Sequence, residues 1–251
     1  MEAATGNKPN VEVVTGADDL ARRALEFFVS GAEAAVKARG RFLAALSGGQ
    51  TPRRFFELLG LDPASLGLRW EAIHLFWVDE RCVPVDSPMS NYRLAADTFL
   101  SSVPIPPENV HRIPADCGDF KAAAGSYEET IKAVFGLPGG RLPEFDLIVL
   151  GMGADGHTGS LLANSYAPFD FENIACVVYV LDDGVNRITL TPPVLRAAAR
   201  LVVLVCGGEK AETLKAVLTG PQDEIRYPIH VLWPVLEKIT WLVDREAARL
   251  L

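Results

Sequence analysis

Near-continuous apolar runs, each ending in glycine, a hydroxyl or a charge, constrain this chain more than any other feature of its sequence. They are Phe42 to Leu46, Ile73 to Val78, Phe145 to Leu150, Cys176 to Leu181 and Leu201 to Cys206, with a shorter one from Thr240 to Val243. A strand exposed on one face alternates apolar and polar residues, whereas a strand covered on both faces does not. Amphipathic segments separate the runs, and their spacing predicts helices over 17–39, from Thr51 onward, and over Asn91 to Leu100, Phe120 to Phe135 and Glu209 to Leu218. Such alternation dictates an α/β fold, with a mostly parallel open sheet and helices on both faces.

Local chemistry agrees. In 17–39, Leu20, Ala24, Phe28, Ala32, Ala35 and Val36 share one stripe, and Arg22–Glu26 and Glu33–Lys37 are expected as ion pairs on the wet side. Gly40 is a natural stop for that helix, and Gly220 for the one that begins at Glu209. Thr51 is expected to cap the second helix, with Pro52 in its first position. With 251 residues, 49% of them hydrophobic, the chain can bury one large core. Residues 11–251 are expected to form a single α/β domain, and 1–10 a flexible tail that is neither basic nor apolar enough for a signal peptide.

The 24 Lys and Arg against 32 Asp and Glu leave a net charge of −8, which argues against a nucleic-acid partner. The longest apolar runs are about half of the roughly 20 residues a membrane span needs. Cys82, Cys117, Cys176 and Cys206 are scattered without a CxxC, and His74, His111, His157 and His230 show no ligand spacing. The expectation is a reduced, cytoplasmic, metal-free protein.

In open parallel sheets, ligands bind beyond the carboxyl ends of the strands. The residues that follow the runs are Ser47-Gly48-Gly49-Gln50-Thr51, Asp79-Glu80-Arg81, Gly151 to His157, and Gly207-Gly208-Glu209-Lys210. The Ser47 turn, opening a helix, is either an anion cradle or a plain capped turn. Gly151, Gly153 and Gly156 match a dinucleotide fingerprint, with Asp170 at the right distance, yet only Ser160 to Tyr166 could be helical before Pro168. His157, at the tip of that loop, is where a general base belongs, because an ordinary imidazole, with a pKa of about 6.5, takes up protons near neutrality. Arg81 reads either as a ligand cation or as a partner of its neighbouring acids, Lys210 as a cation set against a helix dipole, and Arg187 as a strand cap or a ligand. Asp79 and Asp155 are both candidates to orient His157.

At this point the motifs gather into a known pattern. SGGQTP (47–52), FWVDERCVP (76–84), Ser90-Asn91, FDLIVLGMGADGHTGSL (145–161), RITLTPPVL (187–195) and GGEK (207–210) occur in order, and the matches run on to TWLVDREAA (240–248). Together they resemble the 6-phosphogluconolactonases. The resemblance implies the fold of sugar-phosphate deaminases and isomerases. It also implies cofactor-free hydrolysis of a small sugar-phosphate lactone, 6-phospho-D-glucono-1,5-lactone, in the oxidative pentose phosphate pathway; the chain itself is expected to be a monomer or small homo-oligomer. By the same resemblance, the base falls on His157, oriented by Asp155 or Asp79. The substrate contacts fall on Ser47, Gly48, Gly49, Thr51, Arg81, Asn91, Gly153, Arg187 and Lys210. Gln50, Leu162-Ala163 and Ile229 depart from the pattern and are expected to be changes in the pocket wall. The related deaminases carry a glutamate where this chain has Leu162, so hydrolysis is preferred over ring-opening deamination.

Overall fold

In the computed structural model, which describes residues 8–181 and 184–251, the chain begins with β1 (Asn10–Val14), α1 (Ala17–Arg39), β2 (Phe42–Leu46) and α2 (Gln50–Leu61). It continues through β3 (Ile73–Trp77), β4 (Asp79–Arg81), α3 (Asn91–Ala95), β5 (Val110–His111), α4 (Phe120–Phe135) and β6 (Leu147–Gly151). The last part holds β7 (Ala175–Val178), β8 (Arg187–Leu190), α5 (Pro192–Ala197), β9 (Leu201–Val205), α6 (Ala211–Thr219), β10 (Ile239–Asp244) and α7 (Arg245–Ala248). Residues 1–7 of the expected tail lie outside the described residues, and its last residue, Asn10, already pairs with Thr240 in β1.

Seven strands form one sheet in the order β1-β10-β9-β6-β2-β3-β5, parallel at every pairing. Every residue of β2, β9 and β10 is buried. Since successive side chains point to opposite faces, both faces of these strands are covered, as their unbroken apolar runs require. One hydrophobic core runs from Leu20 to Ala247. The strand order grows outward from β2 in both directions, with β3 and β5 on one side and β6, β9 and β10 on the other. The connections that leave β2 and β6 therefore part from each other, and the fold opens a crevice there.

A second, smaller sheet corrects two expectations. The Cys176 run is not in the parallel sheet: β7 pairs antiparallel with β8, and β8 with β4. Asp79-Glu80-Arg81, expected only as residues that follow a strand, form the strand β4 themselves. The cause lies at Val78, whose N–H still bonds Leu46 O at 3.0 Å in the main sheet while its carbonyl accepts the N–H of Leu190 at 2.7 Å. The chain changes sheets at that residue.

The expected stripe of α1 is buried from Leu20 to Ala35, and Gly40 ends the helix in the left-handed conformation. Its expected ion pairs are not the ones formed. Arg22 pairs with Asp19, and Arg23 takes both Glu26 and Glu12, because Glu12 projects from β1 toward that side of the helix. The second helix starts two residues early, with Gly49 as its N-cap, so Thr51 lies inside the first turn and does not cap it.

The imidazoles of His74 and His111, on adjacent strands β3 and β5, lie 3.1 Å apart, and His111 stacks on Phe76 at 4.4 Å. Burial lowers both pKa values, helped by Arg41 at His74 and by His74 at His111, which falls to about 4. A histidine depressed in the folded state gives stability that is complete above its unfolded pKa and is lost as pH falls toward the folded value. Unfolding free energy measured in urea is therefore expected to fall by on the order of 1–2 kcal/mol between pH 7 and pH 5. The fall should be smaller in His111→Gln. An equal fall in that variant would place the titrating group elsewhere.

Candidate active site

The crevice at the carboxyl edge of the sheet is one open cleft. Ser47, Gly48, Gly49 and Thr51 reach it after β2, Asp79 and Arg81 along β4, and Asn91 at the head of α3. Gly153 and His157 reach it after β6, Arg187 from the start of β8, and Lys210 from the turn after β9. Every residue expected to be catalytic or to bind substrate lines the cleft except Asp155, which reaches it only through His157.

The His157 loop is shaped by its own backbone. Gly153 N–H donates to His157 O at 2.9 Å, and Gly156 N–H to Gly153 O at 3.0 Å. Close approach explains the first glycine, because a Cβ on Gly153 would lie 2.3 Å from two ring atoms of His157. Two further contacts brace the loop: the Thr213 hydroxyl donates to Ala154 O at 2.6 Å, and Ile229 N–H to Gly156 O at 3.0 Å. No helix follows β6 before the single turn Ala167–Phe169, so the glycines wrap a histidine and do not open the helix that a dinucleotide site needs.

Of the two candidate acids, Asp155 meets the imidazole. Its Oδ1 lies 2.5 Å from His157 Nδ1 and also accepts the His157 backbone N–H at 3.3 Å. The hydrogen bond from His157 holds the Asp155 carboxyl down at about 2, against the upward push of burial. An ionised carboxylate only accepts, so Nδ1 carries a proton, and in the neutral imidazole the lone pair is then on Nε2. Asp79 is engaged elsewhere: its Oδ2 accepts the Ser160 hydroxyl at 2.7 Å, and its backbone carbonyl accepts Asn91 Nδ2 at 2.9 Å.

The other half of the cleft is suited to an anion. The first turn of α2 has no side-chain cap and no acid, and it opens on the cleft. Lys210 Nζ donates to Thr51 Oγ1 at 3.2 Å, and burial lowers its pKa. Arg81 and Arg187 stand opposite each other across the β4–β8 ladder, which puts two guanidinium side chains on one face of the small sheet. Arg81 Nη1 donates to Met89 O at 2.7 Å, while its Nε and the Ser47 hydroxyl are buried without a hydrogen-bond partner among the described residues.

Gln50, Pro52, Gly151, Met152 and Gly159 also line the cleft. All five lie within the SGGQTP and FDLIVLGMGADGHTGSL motifs. Gln50 is thus in the wall as expected, but Leu162, Ala163 and Ile229 are not among the lining residues. Ile229 is fully buried and acts through its backbone under the His157 loop, and Leu162 packs against the core.

Comparison with known proteins joins these features to a family. The model of the family described as glucosamine-6-phosphate isomerases/6-phosphogluconolactonase matches residues 15–241. This chain belongs to that family. Among its members, the 6-phosphogluconolactonase of Synechocystis sp. is 38% identical over 239 residues, which cover 95% of this chain and 97% of the relative. The 6-phosphogluconolactonase of Mycobacterium tuberculosis is 36% identical over 247 residues, covering 95% and 97%. Among solved structures, the 6-phosphogluconolactonase from Trypanosoma cruzi superposes with a TM-score of 0.86 at 26% identity, covering 99% of this chain and 98% of its own. A monomeric glucosamine-6-phosphate deaminase shares the fold, with a TM-score of 0.82 at 21% identity over 96% of this chain and 100% of that one. The expected resemblance to the sugar-phosphate deaminase and isomerase fold is thereby met.

Proposed function

We propose that this chain hydrolyses 6-phospho-D-glucono-1,5-lactone to 6-phosphogluconate, as its family and cleft together suggest, with His157 as the base that activates water. The observation that carries the reading is the 2.5 Å contact between Asp155 and Nδ1, which leaves a basic Nε2 in a cleft whose other half gathers Arg81, Arg187 and Lys210. Nε2 takes a proton from water as the oxygen attacks C1. The C1–ring oxygen bond then breaks, and the imidazolium returns the proton to the departing ring oxygen. Backbone N–H groups of the glycine-rich loop after β6 steady the tetrahedral oxyanion. Lys210, the two arginines and the head of α2 hold the 6-phosphate, and fixing that remote group places C1 against the water. Asp79 lines the cleft and secures Ser160, while Asp155 is the acid that orients the base.

No helix among the described residues is long and apolar enough to cross a membrane. A small polar substrate and four cysteines held as thiols suit a reducing, cytoplasmic compartment. The chain is read as a monomer or small homo-oligomer, and a net charge of −8 does not favour nucleic acid as a partner.

The reading is tested by oxidising glucose-6-phosphate in place and following decay of the lactone with and without the protein. Decay that quickens in proportion to added protein is the expected result. Decay at the spontaneous rate would overturn the assignment.

A further inference from the structure

A buried carboxylate lies behind the anion-binding half of the cleft without lining it. Glu80, the middle residue of β4, is 4% exposed. Its Oε1 accepts the backbone N–H groups of Arg81 at 2.8 Å and Asn91 at 2.7 Å. Its Oε2 accepts the N–H of Tyr92 at 2.8 Å and the hydroxyl of Ser90 at 2.9 Å. Among the described residues no cation pairs with it. Burying an ionised carboxylate is costly, and here the cost is offset only by these four donors, which come from two separate segments. The carboxylate therefore ties β4 to the first turn of α3.

Two of the tied residues form the cleft wall. Arg81 sends its guanidinium to Met89 O, and Asn91 bonds the Asp79 carbonyl. Asn91 in turn fills the space above the turn after β2: its Oδ1 would lie 2.0 Å from a Cβ on Gly48. The position of Asn91 thus decides where the Ser47–Gly49 turn can sit.

We propose that Glu80 is a positioning residue for phosphate binding, fixing Arg81 and Asn91 together and, through Asn91, the Ser47–Gly49 turn. The proposal rests on the reading of that half of the cleft as the phosphate site. Glu80 touches no substrate in this account; it acts through the residues it holds.

The isosteric variant Glu80→Gln removes what the site needs. One way round, its NH2 faces the N–H groups of Arg81 and Asn91. The other way it faces the N–H of Tyr92, while the Ser90 hydroxyl can turn to accept, so at least one buried N–H loses its acceptor in either case. Ser90→Ala is milder, since it deletes one of the four donors. Binding of inorganic phosphate, followed by 31P NMR titration, gives a readout independent of turnover. The phosphate Kd, and the KM for the phosphorylated lactone, should rise about 10-fold or more in Glu80→Gln and roughly 3-fold in Ser90→Ala. Hydrolysis of unphosphorylated glucono-1,5-lactone should stay within about 2-fold of wild type in both variants, because that substrate makes no use of the phosphate half.

A folded Glu80→Gln protein with the wild-type phosphate Kd would overturn the proposal. If that variant does not fold, an unchanged Kd in Ser90→Ala does the same. Equal losses on the two lactones would also overturn it, since they would mark a general structural role. So would a wild-type protein that binds no phosphate. If wild type binds phosphate yet leaves the phosphorylated lactone at its spontaneous rate, the lactonase reading fails, and the phosphate Kd alone then decides the role of Glu80.

Discussion

His157→Ala should lower kcat on the phosphorylated lactone by about 10²- to 10⁴-fold, the usual worth of a positioned general base, while Kd for 6-phosphogluconate stays within roughly 3-fold. The two halves of the cleft are built by different segments, which is why the effects should separate. Removing the imidazole takes away the proposed acceptor of the water proton but leaves Lys210, Arg81 and the head of α2 in place. It also frees Asp155, whose carboxyl should then titrate closer to its ordinary value, because the hydrogen bond from His157 is the largest cause of its depression to about 2. Product binding is read by calorimetry and turnover by the coupled lactone assay. A variant that hydrolyses the lactone at near-normal rates would remove His157 from the mechanism.

The second large effect comes from adding one methyl group in two places. In Gly153→Ala the new Cβ would lie 2.3 Å from His157 Nδ1 and 2.6 Å from Asp155 Oδ1, so the ring must swing away and its bond to Asp155 must break. A displacement of about 1 Å at a reacting group can cost on the order of 100-fold in rate, and the loss should fall on kcat. In Gly48→Ala the Cβ would meet Asn91 Oδ1 at 2.0 Å, and Asn91 is buried and bonded to the Asp79 carbonyl, so the turn after β2 must yield. There KM for the phosphorylated lactone should rise by about 10-fold or more, with unphosphorylated glucono-1,5-lactone little affected. The opposite pattern, with kcat falling in Gly48→Ala and KM rising in Gly153→Ala, would reverse the assignment of the two halves.

The sequence disclosed the parallel sheet because its strands are buried on both faces, and an unbroken apolar run is a direct record of that burial. It did not disclose which sheet a run joins. Val177 and Val178 are as apolar as Val202 and Val203, and only the divided bonding of Val78 sends β7 and β8 into a separate layer. A polar strand is harder still to see. Asp79 and Glu80 are both buried, and what makes this tolerable is a set of donors up to 81 residues away, Ser160 among them. No local pattern records such partners. The candidate site was legible for a simpler reason: ligands gather where strands end, so the residues after each run were already grouped. The choice between Asp155 and Asp79 was not legible, since both follow strands, and the tight turn that brings Asp155 back onto the imidazole depends on three-dimensional closure between Gly153 and His157.

The Asp155–His157 pair stands at the water boundary, with 60% of the Asp155 side chain and 30% of the His157 side chain exposed. Here the second reactant is the solvent itself. A base in contact with bulk water is resupplied with nucleophile as soon as product departs, and the acid formed by opening the ring can shed its proton outward without waiting for a segment to move. Other small nucleophiles can approach by the same route. Added hydroxylamine should therefore be captured as a hydroxamate by the enzyme-bound lactone, in competition with water.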